Sequence, residues 1–560
     1  MIKDFSPRLY QEKIFSTAAK QNTLVVLPTG MGKTGIALLL AAHRLSQYPA
    51  SKILILAPTK PLAQQLCSVL EKHLQLPEHP AYQDQENRIV LFTGAVPPQK
   101  RKQLYQTAQI IASTPQTIEN DILAGSIDLK AFSLVVFDEA HRAVGDYAYG
   151  YIAKTYLEVS PFPRILALTA SPGSEMEKTM EIIQQLHIEA IEVRTEDDPD
   201  VLPYIQPVEM TWKEVLFPES FMEIKNRLLQ YIKEKLEKVK EKGYIHQDFI
   251  TNHSKKELLG LQAKLREEML AGKNFDAMKS ISLVAEVIKI EHAIELLETQ
   301  GIPALYLYLE KLEREGYQGQ SKAAKEVVKD LNFRTALLKT KALFLQGIQH
   351  PKLEVLLGIV SYQLENNPQT KIIIFNQYRD NAKVIVEEVN KLPNAKAKLF
   401  VGQAKKNGSG LSQKEQLQIL DAFKAGEFNI LVSSSVGEEG LDIPAVELVI
   451  FYEPIPSAIR HIQRRGRTAR LQEGSVIVLV TKGTRDEMYR WSSHHKEKRM
   501  HRNLGQLQKT ISIVSHERNL QQQKHIPLDA YEKKEQIAII IDHREASNQV
   551  TKQLKLLDCD

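Results

Sequence analysis

Thr23-Leu24-Val25-Val26-Leu27-Pro28-Thr29-Gly30-Met31-Gly32-Lys33-Thr34 is the stretch from which the rest of the chain can be read. An apolar run of strand length meets a glycine-rich turn, and the amphipathic segment Gly35 to Leu45 follows. Strand, loop and helix in that order make a phosphate cradle. The backbone N–H groups of Thr29, Gly30, Met31 and Gly32 close around anionic oxygens, and the helix N-terminus adds its dipole. Lys33 then reaches the β- and γ-phosphates and Thr34 ligates Mg²⁺, which predicts ATP with Mg²⁺. The match departs from the strict GxxxxGK[ST] pattern in one place, since Leu27 stands where the first glycine would be.

Outward from this motif the same rhythm of short apolar runs and amphipathic stretches continues. Ile53 to Ala57, Ile110 to Ser113, Leu134 to Phe137 and Ile165 to Thr169 predict the buried strands of a parallel sheet. A second set, Ile372 to Phe375, Lys398 to Val401, Ile430 to Ser433, Leu448 to Phe451 and Val476 to Val480, predicts another. Between them Phe221, Ile224, Leu228, Ile232, Leu236 and Val239 recur at helical spacing. A further helical run, Ile281 to Thr299, stops at Gly301-Ile302-Pro303. The expected fold class is α/β: two RecA-like parallel-sheet domains, residues 1–204 and 346–505, around an all-helical, thumb-like insertion over 205–345. After a basic run from His494 to Arg502, the span 506–535, polar through Gln521-Gln522-Gln523-Lys524, reads as a linker, and Ile537 to Ile541 as a fresh strand opening another domain at 536–560.

Chemistry gathers at strand ends. Leu134-Val135-Val136-Phe137 runs into Asp138-Glu139-Ala140-His141, where the first carboxylate is placed to hold Mg²⁺ and the second to orient and deprotonate water. In the second half, Gln463-Arg464-Arg465-Gly466-Arg467-Thr468-Ala469-Arg470 sets Arg467 and Arg470 three apart, so that on a helix both guanidinium groups face one anion. Supplied across a cleft, they would be arginine fingers. The loop Val436-Gly437-Glu438-Glu439-Gly440-Leu441-Asp442 lets backbone approach a ligand at Gly440, and Asp442 accepts from a ribose hydroxyl or orients a finger.

Composition excludes more than it identifies. With 43% apolar and 25% charged residues over 560, the chain needs several cores. It has no apolar stretch of the roughly 18 residues a membrane helix requires, and a net charge of +5 argues only weakly for a nucleic-acid partner. Cys67 and Cys559 form neither a CxxC pair nor a disulfide framework, which suits a reducing, intracellular setting in the cytoplasm or nucleoid. His494-His495 lacks a spaced partner for a metal site.

These motifs, in order, resemble the superfamily 2 DEAH-box helicases. The resemblance runs through Pro7-Arg8-Leu9-Tyr10-Gln11, the phosphate loop, Ala57-Pro58-Thr59-Lys60-Pro61-Leu62, Ser113-Thr114-Pro115-Gln116, the DEAH box, Leu168-Thr169-Ala170-Ser171-Pro172, Ile372 to Arg379, the Val436 to Pro444 loop and the arginine motif. It implies that Gln11 reads the adenine edge, that Arg8 packs on its ring, and that His141 and Gln463 complete the catalytic set. Thr169 and Ser171 would couple hydrolysis to domain motion. Thr59, Lys60, Thr114, Pro115, Gln377, Ser434 and Ser435 would hold one nucleic-acid strand by its backbone.

Within that superfamily the phrase Val436-Gly437-Glu438-Glu439-Gly440-Leu441-Asp442-Ile443-Pro444 and the helical insertion look like the FANCM and archaeal Hef group, which implies action on forked or branched DNA. Ile539-Ile540-Ile541-Asp542-His543-Arg544-Glu545 resembles the start of an XPF-type nuclease domain, truncated here and expected to cut no DNA, though a longer chain would carry it whole. An RNA-directed relative of the Dicer type and a non-catalytic junction scaffold are the rival readings. Lys233, Lys235, Lys238, Lys240 and Lys242 either clamp duplex or form a salt-bridged face with the interleaved Glu234, Glu237 and Glu241.

Overall fold

A computed structural model describes residues 1–80, 82, 88–173, 175–204, 209–272, 275–319, 321–402, 410–434, 446–454, 475–490, 499–500 and 502–507. Two parallel sheets carry the architecture. The first is built from β1 (Thr23–Val26), β2 (Lys52–Leu56), β3 (Ile89–Phe92), β4 (Ile110–Ser113), β5 (Phe132–Asp138), β6 (Ile165–Thr169) and β7 (Ala190–Val193), in the order β3-β4-β2-β5-β6-β1-β7. The second contains β8 (Glu209–Val215), β9 (Ile372–Asn376), β10 (Ala397–Phe400), β11 (Ile430–Ser434), β12 (Leu448–Phe451) and β13 (Ser475–Thr481), in the order β10-β11-β9-β12-β13-β8.

The continuous apolar runs form these strands because helices cover both faces. Along β1, Leu24 and Val26 pack on one side of the sheet while Val25 and neighbouring Leu27 pack on the other. Along β5 the same division sends Val135 and Phe137 one way and Leu134 and Val136 the other, and every residue of that strand is buried. The insertion is a separate helical bundle, and the six apolar residues spaced along Glu219–Glu241 all point into its core.

The structure differs from the sequence reading at both margins of the second domain. Residues 209–215, assigned above to the all-helical insertion, are a strand paired parallel to β13 along its whole length. Its alternation is that of an edge strand, with Met210 and Trp212 packed on the core below and Thr211, Lys213 and Glu214 outside, so it lacks the apolar run that marks a central strand. At the other margin Met500, Leu504 and Leu507 join the core of the first domain, so the chain returns there after its second sheet. The edge strands β3 and β7 were also not read from the sequence. The span assigned to the linker lies outside the described residues apart from Gln506 and Leu507, as does all of 536–560.

The bundle meets the second domain at a buried histidine. Gly301 ends the helix Phe275–Thr299 with φ +85°, and a Cβ there would stand 2.9 Å from the Cβ of His350. His350 Nε2 donates to the Glu298 carbonyl at 2.9 Å while Nδ1 accepts from the Lys352 amide at 3.1 Å, which fixes a neutral tautomer. Burial, reinforced by the Lys352 charge, pushes its pKa down to about 3. Because the folded value lies below the unfolded one near 6.5, stability from this group is complete above that pH and is lost as pH falls from about 6.5 towards 3. Unfolding midpoints measured over that range should fall more steeply for the native chain than for His350→Gln. Parallel curves would show that the histidine does not titrate on unfolding.

Candidate active site

Three adjacent strands, β5, β6 and β1, deliver the first half of the site to one edge of the sheet. From β1 the loop turns through Gly30 at φ +84° and Gly32 at φ +74°. Gly32 N-caps the helix Lys33–Gln47, and a Cβ on it would lie 2.5 Å from Gln11 Nε2, so a larger residue would be strained by the positive φ and would displace the Gln11 amide. Thr29, Met31, Lys33 and Thr34 therefore sit around the N-terminus of a helix, as their spacing predicts. Lys33 Nζ donates to the Leu27 carbonyl at 3.2 Å, back across the loop.

The residues preceding this loop brace it. Gln11 Nε2 donates to the Gly32 carbonyl at 3.0 Å and its Oε1 accepts from the Arg8 amide at 2.8 Å. Tyr10, whose role the sequence did not reveal, donates its hydroxyl to the Met31 carbonyl at 2.7 Å and accepts from Arg8 Nη1 at 2.9 Å. Thus Arg8 and Gln11, the residues implied to meet adenine, are anchored to the phosphate loop itself.

At the end of β5, Asp138 is buried, and that burial together with the Glu139 charge raises its pKa to about 7 while Lys33 and His141 pull it down. A desolvated carboxylate beside a second acid is a hard-oxygen donor of the kind that fits Mg²⁺, which Asp138 would hold together with Thr34 at the start of the helix after the loop. Glu139 adopts the left-handed conformation, φ +51°, which costs energy for a residue with a Cβ and is held here by the surrounding structure. His141 Nδ1 lies 3.3 Å from Glu139 Oε2 and 3.2 Å from Thr169 Oγ1. Thr169 Oγ1 donates to the Ser171 carbonyl at 3.1 Å and accepts its amide at 3.2 Å. Ser171 Oγ in turn donates to the sulfur of buried Met500 at 3.0 Å. His141, beside the Glu139 carboxylate, is thus joined by hydrogen bonds through Thr169 and Ser171 to the returning C-terminal segment.

A second group of sequence-predicted residues shares a different feature: each stands where a strand gives way to a helix. Thr59 occupies the N-cap position of the helix Lys60–His73 after β2 and Thr114 that of Pro115–Leu123 after β4, neither with a side-chain cap bond, and Gln377 precedes Arg379–Val389 after β9. Lys60 and Pro115 are the first residues of their helices, where proline forfeits no bond and unpaired N–H groups point outward. Thr59 Oγ1 and Ser434 Oγ are buried without a hydrogen-bond partner among the described residues. Glu453, unmarked in the sequence analysis, orders the Gln377 turn by accepting from the Gln377 amide at 3.0 Å and from Asn376 Nδ2 at 3.2 Å. No local pattern marks it, because the turn that it orders lies 76 residues away in the chain.

Ser435, Gly440, Asp442, Gln463, Arg467 and Arg470 lie outside the described residues, as do His494-His495. In the insertion, Lys235 pairs with buried Glu286 at 3.2 Å, Lys242 with Asp276 and Lys240 with Gln247, so these lysines serve the bundle's internal contacts. Among the described residues no group of three or more acids, histidines and cysteines is gathered to hold a metal ion, and no helix is long and apolar enough to cross a membrane.

Comparison with known proteins gives three adjoining family matches: DEAD/DEAH box helicase over residues 8–179, a putative ATP-dependent RNA helicase helical bundle over 220–344, and the helicase conserved C-terminal domain over 351–472. The chain is 47% identical to the Hef helicase domain of Pyrococcus furiosus in its crystal structure, covering 87% of this chain and 98% of that one with a TM-score of 0.69. It is 42% identical to a putative ATP-dependent RNA helicase of Methanocaldococcus jannaschii over 90% of this chain and 61% of the relative. It is 34% identical to the ATP-dependent DNA helicase fml1 of Schizosaccharomyces pombe over 85% of this chain and 57% of that protein. The chain thus spans about three fifths of the length of these two curated relatives.

Proposed function

The chain belongs to the DEAD/DEAH-box helicases, in the group of the Hef helicase domain and the FANCM homologues, and from that premise we propose that it is an ATP-driven DNA helicase or translocase acting on forked and branched DNA. One observation carries the motor part of this reading: β5, β6 and β1 bring Asp138, Glu139, His141, Thr169 and Lys33 to a single sheet edge. Lys33 binds the transferring phosphoryl group, and Glu139 orients the attacking water and takes its proton. Mg²⁺ held by Asp138 and Thr34 would neutralise charge on the phosphate oxygens. His141 stands between Glu139, at 3.3 Å, and Thr169, and from Thr169 hydrogen bonds run on to Ser171 and Met500, so movement of the carboxylate is felt by that network.

The nucleic-acid part is supported by the three helix N-termini that follow β2, β4 and β9. Hydroxyls, outward N–H groups and Lys60 suit phosphate oxygens and read no base, which is the chemistry of tracking along a strand. DNA as the substrate is supported by the name of the fml1 relative, whereas the Methanocaldococcus relative and an Arabidopsis thaliana FANCM-type relative carry names that specify RNA. ATP turnover measured against single-stranded, duplex, forked and four-way DNA and the matching RNAs separates the two. Stimulation by duplex RNA and not by forked DNA would reject the DNA reading.

The insertion supplies the preference for forks in this proposal. Removing the helices from Glu219 to Leu345 and bridging the gap with a flexible linker leaves β8 and every described nucleotide-site residue in place. Basal ATPase should survive and the ratio of forked to single-stranded stimulation should fall. An unchanged ratio would show the bundle to be structural.

A further inference from the structure

Tyr204 ends the first domain, in the short turn Leu202–Tyr204 from which the chain passes to β8 of the second sheet. It is 41% exposed, so its ring contributes little to a core. What it touches instead is the segment that precedes the phosphate loop. The Arg8 guanidinium carbon lies 5.3 Å from the centre of the Tyr204 ring. The Tyr10 ring meets it edge to face at 5.7 Å and 72°, and the Tyr204 hydroxyl accepts from the Leu9 amide at 3.4 Å.

The segment leading to Tyr204 is tied to the same helix, Leu9–Ala18. Lys13 pairs with Asp200 at 3.0 Å, Asp200 also meets Arg194 at 3.3 Å, and Thr17 Oγ1 donates to Glu192 at 2.6 Å. Val201 is fully buried in the core that holds Tyr10. The position of the tyrosine is therefore determined by the fold, whereas a long arginine side chain has several free torsions of its own. Stacking on a purine requires the guanidinium plane to be held still. Tyr10 Oη fixes one nitrogen of Arg8, and a second contact from a ring is what fixes the plane.

We propose that Tyr204 is a positioning residue for nucleobase recognition: its ring holds the Arg8 guanidinium for stacking on adenine, and by standing at the exit of the first domain it ties base occupancy to the segment that enters the second sheet. This rests on the adenine reading of Arg8 and Gln11. The role predicts a specific pattern, because a contact acting through the base affects ATP and leaves nucleotides with a poorly accommodated base as they were. A residue that merely supports the fold changes all nucleotides alike.

The experiment is steady-state hydrolysis of ATP and GTP at saturating single-stranded DNA by the full chain, native and with Tyr204→Ala, Tyr204→Phe or Arg8→Ala, with thermal midpoints recorded for each. Tyr204→Ala should raise KM for ATP about tenfold with kcat within about twofold, leave KM for GTP unchanged, and so erase most of the preference for ATP. Tyr204→Phe should behave as native, since the ring is retained. An ATP preference intact in Tyr204→Ala but lost in Arg8→Ala would overturn the proposal alone, as would equal KM increases for both nucleotides. No preference in the native chain would overturn the adenine reading itself and the proposal with it.

Discussion

Glu139→Gln is expected to bind ATP about as well as the native chain and to turn it over about a hundred- to ten-thousandfold more slowly, the range over which a general base contributes. The amide keeps the size and shape of the side chain but cannot take a proton from water. The geometry favours a catalytic over a structural role for this carboxylate. It leaves β5 in a left-handed conformation that favours glycine, and its Oε2 lies 3.3 Å from His141. Lys33→Ala should differ in kind, losing both turnover and much of the affinity, because the lysine meets the phosphates in ground and transition states alike. Equilibrium binding of a fluorescent ATP analogue and nucleic-acid-stimulated phosphate release, measured separately, distinguish the two variants. Native turnover by Glu139→Gln would remove Glu139 from the role of base.

Arg467→Ala and Arg470→Ala should each lower kcat by about a thousandfold or more with nucleotide affinity nearly unchanged. An arginine presented from the second domain meets the phosphate only once the cleft has closed, so it contributes to the transition state and little to the first encounter. Both residues fall within the helicase C-terminal match over 351–472. The measurement is kcat at saturating nucleic acid together with direct nucleotide binding. A variant with normal kcat and a large loss of affinity would place its arginine in a ground-state contact and end the two-domain account of the site.

The nucleotide site was legible in the sequence to the extent that it depends on local conformation. A glycine-rich turn between an apolar run and an amphipathic one has few ways to fold, and Gly30 and Gly32 take the positive φ angles that this turn requires. Asp138 was legible because central strands of a parallel sheet are apolar on both faces and end abruptly in polar residues, whereas Thr169 was marked only by the resemblance of its motif to the helicases. Tyr10, Tyr204 and Glu453 were not. Each acts through a partner distant in sequence, as Glu453 does across 76 residues to the Gln377 amide, and no local pattern marks such a contact.

The strand β8 shows the same division. Glu209–Val215 alternates polar and apolar residues because it closes an exposed edge, and the signal of an edge strand is too weak to compete with the long helical run that follows it. By itself the sequence determined the fold class, the phosphate loop, the acidic strand end and the helical nature of the insertion, since each follows from periodicity or turn chemistry within a few residues. Only the tertiary structure decided that β6 stands between β5 and β1, and that His141 joins Glu139 to Thr169. It also decided that Met500 returns to Ser171 and that the end of the first domain rests on Arg8. Strand order and long-range side-chain contacts arise from burying all of these faces at once, a condition on the whole chain that no single segment records.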